Sequence, residues 1–212
     1  MPQKFETKDF SLKSVTEPAI YQFNYRLAQY VNIDRFAEME SVREPELIRN
    51  WFGEDRIERR ISDRLFKHIG GQIVTVDDLN IPHHRLALQS FETIQQVCLC
   101  TVARIYAEEI GQLIDGAKIR EIIQLLGERH VNLLRVKTEK NRVFRKSTTD
   151  LPMAISNQAQ NYLAGWLLSL PQAIRSRAIL KMPPTTLTSI FVGNSSCLLS
   201  SLNRCLKEAE NA

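Results

Sequence analysis

The chain has 212 residues, with 43% hydrophobic and 25% charged side chains and a formal net charge of +4. That length can bury a real core, as one domain or two small ones, and the composition is that of an ordinary globular protein. Eight Gly and eight Pro are too few for low complexity or a loop-rich β-sandwich, and the mild charge selects no class of partner.

No apolar run approaches the ~20 residues of a membrane-spanning helix. Met1 to Val15 lacks an apolar stretch of the secretory-signal kind, and residues 1–16 are expected to be a mobile polar segment. A single mainly helical domain is expected over residues 17–210.

Glu17-Pro18 opens a short helix or turn carrying Ile20, Tyr21, Phe23, Tyr25, Leu27 and Tyr30. Four aromatics within ten residues should dock this element onto the body as core. Residues 31–43 keep no period and read as a loop or broken helix. Glu44-Pro45-Glu46 is a helix start, with proline in the first turn and carboxylates facing the dipole, and it leads to Leu47, Ile48, Trp51 and Phe52 before Gly53.

A charged helix follows from Glu54 to Ile69, with Ile57, Ile61, Leu65 and Ile69 at four-residue spacing. Its apolar stripe is narrow, so it is expected at the periphery, with Asp55–Arg59 and Arg59–Asp63 pairing along its outer face. Arg56, Arg59 and Arg60 make that face a candidate docking surface. Gly70-Gly71 breaks the pattern, Gln72 to Val76 is β-prone, and Asp77 to Pro82 is a turn. His83-His84 suggests no metal or acid–base site, because adjacent side chains diverge and no HExxH context surrounds them.

Ser90 to Leu113 is the longest helical pattern, through Phe91, Ile94, Cys98, Val102, Ile105, Tyr106 and Ile110. Asp115 caps the next helix, which carries Ile119, Ile122, Ile123 and Leu126 and ends at Gly127. His130 to Val136 adds another turn or two. Residues 135–146 form the one basic run, with six cations and one carboxylate; Arg135, Lys137, Arg142, Arg145 and Lys146 are its candidate contacts for an acidic protein or for nucleic acid.

Asn161 to Pro184 has the densest apolar residues. Ile155, Ala159, Tyr162, Trp166 and Leu170 recur at three and four, with Leu163 and Leu167 beside them, as in a helix buried on most of its circumference. Leu170-Pro171 ends it, since the residue before proline leaves the α region. Trp166, Leu167, Leu170, Pro171 and Leu180 are the expected structural core. Arg175, Arg177, Ile179 and Lys181 then alternate basic and apolar up to Pro183-Pro184, and a final amphipathic helix is expected from Ser195 or Ser196 through Leu206.

The fold class read from these patterns is mainly α: an irregular helical bundle with at most one or two short strands. Gly-rich phosphate loops, GxSxG, HExxH, EF-hand loops and paired CxxC are absent from the sequence, and the carboxylates lie on charged helix faces. Cys98, Cys100, Cys197 and Cys205 sit in apolar helical patterns and are expected as reduced core thiols. No enzyme, cofactor, metal or small-molecule ligand is expected.

Glu17-Pro18-Ala19-Ile20-Tyr21 with Arg26-Leu27 resembles the acidic-Pro-x-x-Tyr-x4-Arg-Leu opening of the SctK family of type III secretion proteins. Gly165, Trp166, Leu167, Leu170, Pro171, Arg177, Leu180, Lys181 and Pro183 resemble the C-terminal signature of the same family, an aromatic Trp-Leu helix, Leu-Pro, then a basic-apolar strand ending in proline. Leu125-Leu126-Gly127 with Leu134-Arg135 looks like its Leu-Gly turn before a short basic helix. The family opening has aspartate where Glu17 stands, and most of residues 31–110 lies outside the match. The resemblance implies a cytoplasmic adaptor at the cytosolic face of the inner membrane, joining the SctD-type ring protein to the SctQ-type pod protein and the SctL-type stator. Tyr21, Tyr25 and Arg26 are then contact candidates beside Arg56, Arg59, Arg60 and the basic run. The alternative is a helical nucleic-acid-binding or regulatory protein using residues 135–146.

Overall fold

The structure, a computed structural model, describes residues 16–138 and 150–184, leaving aside the side chains of Leu47, Leu133 and residues 135–138. Among the described residues it is an irregular bundle of helices without a β-ladder. The helices are α1 (Glu17–Tyr25), α2 (Ile33–Met39), α3 (Pro45–Arg49), α4 (Asp55–His68), α5 (Pro82–Arg85), α6 (Phe91–Ile105), α7 (Ala107–Gly111), α8 (Gly116–Leu126), α9 (Glu128–Thr138), α10 (Leu151–Ser169) and α11 (Gln172–Leu180). The expectations for residues 1–15, for the stretch around Arg142, Arg145 and Lys146, and for the final helix fall outside the described residues.

The axis is α10. Asp150 caps it by accepting the Met153 N–H, and Pro152 occupies its first turn, so it begins four residues before Ile155. Ile155, Ala159, Tyr162, Leu163, Trp166 and Leu167 are all buried, and Trp166 is 1% exposed. The indole N–H donates to the His83 carbonyl at 2.8 Å, so the ring is buried without an orphaned donor. Leu170 turns to ψ 144° ahead of Pro171, which ends the helix. α10 packs along α6 and α8 in the larger of two core clusters.

Several expectations are corrected. The pattern from Ser90 to Leu113 is two helices broken at Tyr106 (φ −94°, ψ 17°). In one straight helix Ile110 would lie about 120° around from Cys98, away from the core. The break leaves Ile105 exposed and buries Ile110 and Leu113, with α7 against α9. Residues 172–180 are a helix, not a basic-apolar strand: Ile174, Arg177, Ala178 and Lys181 are buried at helical spacing, which outweighs the period-two alternation. Pro171 is exposed; it serves at the N-terminal boundary of α11 and not as core. Of the four N-terminal aromatics only Phe23 packs deeply with Tyr30, while Tyr21 and Tyr25 face out.

The smaller cluster joins Leu27, Ala28, Val31, Phe36, Ile48 and Leu180 to Ile61 and Leu65 of α4. α4 is tied in further by Ser62, whose hydroxyl accepts the Ala28 N–H at 3.1 Å. Gly70 (φ +90°) and Gly71 (φ +64°) then reverse the chain in a conformation that L side chains rarely adopt. Gln72 to Val76 finds no partner strand; Asn24 instead takes both backbone groups of Val74, at 2.8 and 2.9 Å. Gly127 (φ +85°) closes α8 and α9 follows at once.

Trp166→Ala should cost about 3–5 kcal/mol, the transfer and cavity cost of a buried large side chain. Urea unfolding measures it, and a near-wild-type midpoint would contradict the packing described.

Candidate functional site

Two surface features contain the sequence candidates whose side chains the structure describes, and a third feature is buried. On α1, Tyr21 and Tyr25 stand one turn apart with ring centroids 5.3 Å apart, 55% and 42% exposed. Pro18 in the first turn and Glu17 at the positive end of the dipole explain why the helix starts there. The rings border a groove of about 850 Å³ whose far wall is Ile73 to Val76. Arg26 behaves differently: its side chain is 22% exposed and reaches Asp55 at 3.8 Å, tying the end of α1 to the start of α4.

Arg56, Arg59 and Arg60 are all exposed on α4. The expected pairs Asp55–Arg59 and Arg59–Asp63 do not form. Asp55 turns to Arg26, and Glu58 accepts the Gly53 N–H at 3.0 Å and the Gln29 amide at 3.5 Å. Contacts that fasten the helix to the body win over exposed pairs worth only a few tenths of a kcal/mol. In the basic run, Arg135 and Lys137 lie on α9 with side chains outside the described set, and Arg142, Arg145 and Lys146 lie outside it altogether.

The third feature was not foreseen. Arg177 and Lys181, one turn apart on and just after α11, are 0% and 7% exposed, and among the described residues neither has a carboxylate partner. Carbonyls hold them instead. Arg177 donates to the carbonyls of Phe23 (3.1 Å), Ala173 (2.8 Å) and Gln72 (2.6 Å). Lys181 donates to those of Ala87 (2.7 Å) and Gln89 (2.8 Å), with its ammonium 4.8 Å from the Tyr30 ring centre and 5.5 Å from that of Phe23. Tyr30 donates its hydroxyl to the Phe23 carbonyl at 2.7 Å; burial raises its pKa, against the pull of Arg177. A cavity of about 710 Å³ opens beside Lys181, lined also by Tyr30, Gln89, Phe91 and Glu92. The signal available in the sequence was cations at Arg177 and Lys181 spaced like the neighbouring Ile174 and Ala178.

Among the described residues the remaining titratable groups form no metal-ligand cluster. His83 and His84 lie with rings edge to face at 4.5 Å; His84 is buried with its Nδ1 against the Asp78 carbonyl. Hydrogen bonds from Thr75 hold the Asp78 carboxyl below its usual range. Burial pushes the Cys98 thiol up to about 12, and Cys100 is partly buried; Cys197 and Cys205 lie outside the described residues. No helix among the described residues is long and apolar enough to cross a membrane.

Burial pushes the Lys181 ammonium down from 10.5 to about 7, because carbonyls and ring faces replace only part of its hydration. Below pH 7 the lysine is protonated whether the chain is folded or not, and its contribution is flat. Above about pH 7 the folded protein sheds a proton that the unfolded chain keeps, so stability rises by up to about 1.4 kcal/mol per pH unit. Thermal melts between pH 7 and pH 8, below the ordinary thiol value of 9.0 around which an unfolded-state Cys98 ionises, should rise for the wild type and stay level for Lys181→Met.

Compared with protein-family models, with curated proteins and with solved structures, the chain matches none.

Proposed function

We propose that this chain is a non-enzymatic adaptor of the type III secretion sorting platform, linking the cytosolic domains of an SctD-type inner-membrane ring protein to SctQ-type pods and an SctL-type stator. It would work in the cytoplasm at the inner face of that membrane, held there by its partners. The reading starts from the three SctK-like motifs, which occur in family order.

One observation carries it furthest. The first and last motifs meet at one hydrogen bond, and residues just after the first motif add others. Arg177 donates to the Phe23 carbonyl inside the opening motif, and the Asn32 N–H donates to the Leu180 carbonyl at 2.8 Å. Arg35 then bonds the carbonyls of Met182 and Pro183 at 3.2 and 3.1 Å. Such a junction is compatible with the two motifs forming one structural unit. The exposed Tyr21 and Tyr25 beside that junction, and the arginines of α4, supply surface for partners of an adaptor.

The test is affinity purification of the tagged chain from cells expressing the complete secretion system. Recovery of ring, pod and stator proteins is expected. A clean preparation without any ring or pod component would end this reading.

A further inference from the structure

α4 sorts its charges by face. Its acids near the start of the helix face other groups: the exposed Asp55 lies 3.8 Å from Arg26, and Glu58 accepts from Gly53 and Gln29. Arg64 pairs with Glu40 of the turn after α2. Arg56, Arg59, Arg60 and Lys67 are exposed and, among the described residues, have no ion-pair partner; the same holds for Asp63. Each residue advances about 100° around a helix, so Arg56, Arg60, Asp63 and Lys67 fall in one stripe opposite the buried Ile61 and Leu65. The stripe reads plus, plus, minus, plus over about 16 Å.

We propose that this outer stripe of α4 docks an acidic helix of a partner protein. Carboxylates of that helix meet Arg56, Arg60 and Lys67, and one base on it meets Asp63. Charge complementarity argues for this occupant. The guanidinium groups offer planar forks suited to carboxylates, and the one acid within the stripe, Asp63, forms no ion pair with them among the described residues. A uniformly charged polyanion such as nucleic acid would meet Asp63 in the middle of the stripe and be repelled there. A second helix repeats its groups at the same period as α4, so one straight partner can engage all four positions. The inference deepens the adaptor reading by naming the chemistry of one partner, and it rests on that reading only for the biological setting.

The test uses the full chain and a labelled synthetic helical peptide carrying glutamates opposite Arg56, Arg60 and Lys67 and a lysine opposite Asp63. A second peptide has glutamate in place of that lysine, and a random-sequence DNA duplex is the third probe. Anisotropy titrations at about 50 mM salt should rank the patterned peptide first, with binding weakening steeply by about 300 mM. Arg56→Glu combined with Arg60→Glu should weaken it about tenfold or more. Asp63→Lys should reverse the preference toward the all-acidic peptide. These positions are exposed, and thermal melts of the variants verify that they fold.

The proposal is overturned if the patterned peptide does not bind at low salt or if the double variant binds it unchanged. It is also overturned if DNA or the all-acidic peptide binds the wild type best, or if the face mediates contact between copies of this chain, seen as self-association that the double variant abolishes. None of these results bears on whether secretion components copurify, so the two readings fail separately.

Discussion

Two buried cations, neither with a carboxylate partner among the described residues, tie the irregular parts of this fold together. An interior charge is ordinarily neutralised by an opposite one or expelled, because carbonyl dipoles alone replace water incompletely. Here Arg177 and Lys181 gather five backbone carbonyls from the end of α1, α11 itself, the segment after Gly71 and the turn before α6. Gln72, Ala87 and Gln89 lie outside the α-helices, where no α-helical ladder supplies their hydrogen bonds, while Phe23 and Ala173 belong to α1 and α11. The cations therefore act as donors placed where the helical bundle has too few, and the desolvation they suffer is offset by acceptors that would otherwise be orphaned.

This arrangement explains the position of α11 between the two core clusters. Ile174, Ala178 and Met182 belong to the larger cluster, and Leu180 belongs to the smaller. Arg177 lies between them with its guanidinium 5.8 Å from the ring centres of both Phe23 and Phe66, so it touches α1 and α4 together. Lysine at that position could not span the carbonyls of Phe23, Ala173 and Gln72 with its single nitrogen; the planar fork is what the geometry uses.

Helix existence was legible wherever apolar residues repeat at three and four over several turns, as in α4, α6, α8 and α10. So were the starts governed by side-chain chemistry, Asp115 and the prolines at Pro18 and Pro45, and the stop at Gly127. What escaped was decided by tertiary contacts. The break at Tyr106 depends on where Ile110 must point, and the helix at 172–180 depends on a core that accepts basic side chains. Intrahelical pairing on α4 was outcompeted by Arg26, Gly53 and Gln29, all outside the helix. The candidate contacts at Tyr21 and Tyr25 were readable as residue types but not in their exposure, whereas Arg56, Arg59 and Arg60 were legible as an outer face and are exposed. Arg26 looked like their companion and is largely committed to Asp55.

The side chain of Asn24 has a consequence beyond packing. It is 2% exposed, and its amide faces Val74 the way a neighbouring strand's peptide group would, giving one donor and accepting one. An amide does both at once, which a carboxylate cannot. Hydrolysis to aspartate, a change of one group with almost no change of shape, would set an oxygen against the Val74 carbonyl where a donor now sits at 2.8 Å. The QIVTV stretch would then lose its bonds to α1 at Val74, while the buried Val74 side chain and the Arg177 bond to the Gln72 carbonyl still held it. One buried amide thus supplies the pairing that a neighbouring strand would give this β-prone stretch, and its chemical ageing would loosen a sheet-like edge rather than the core.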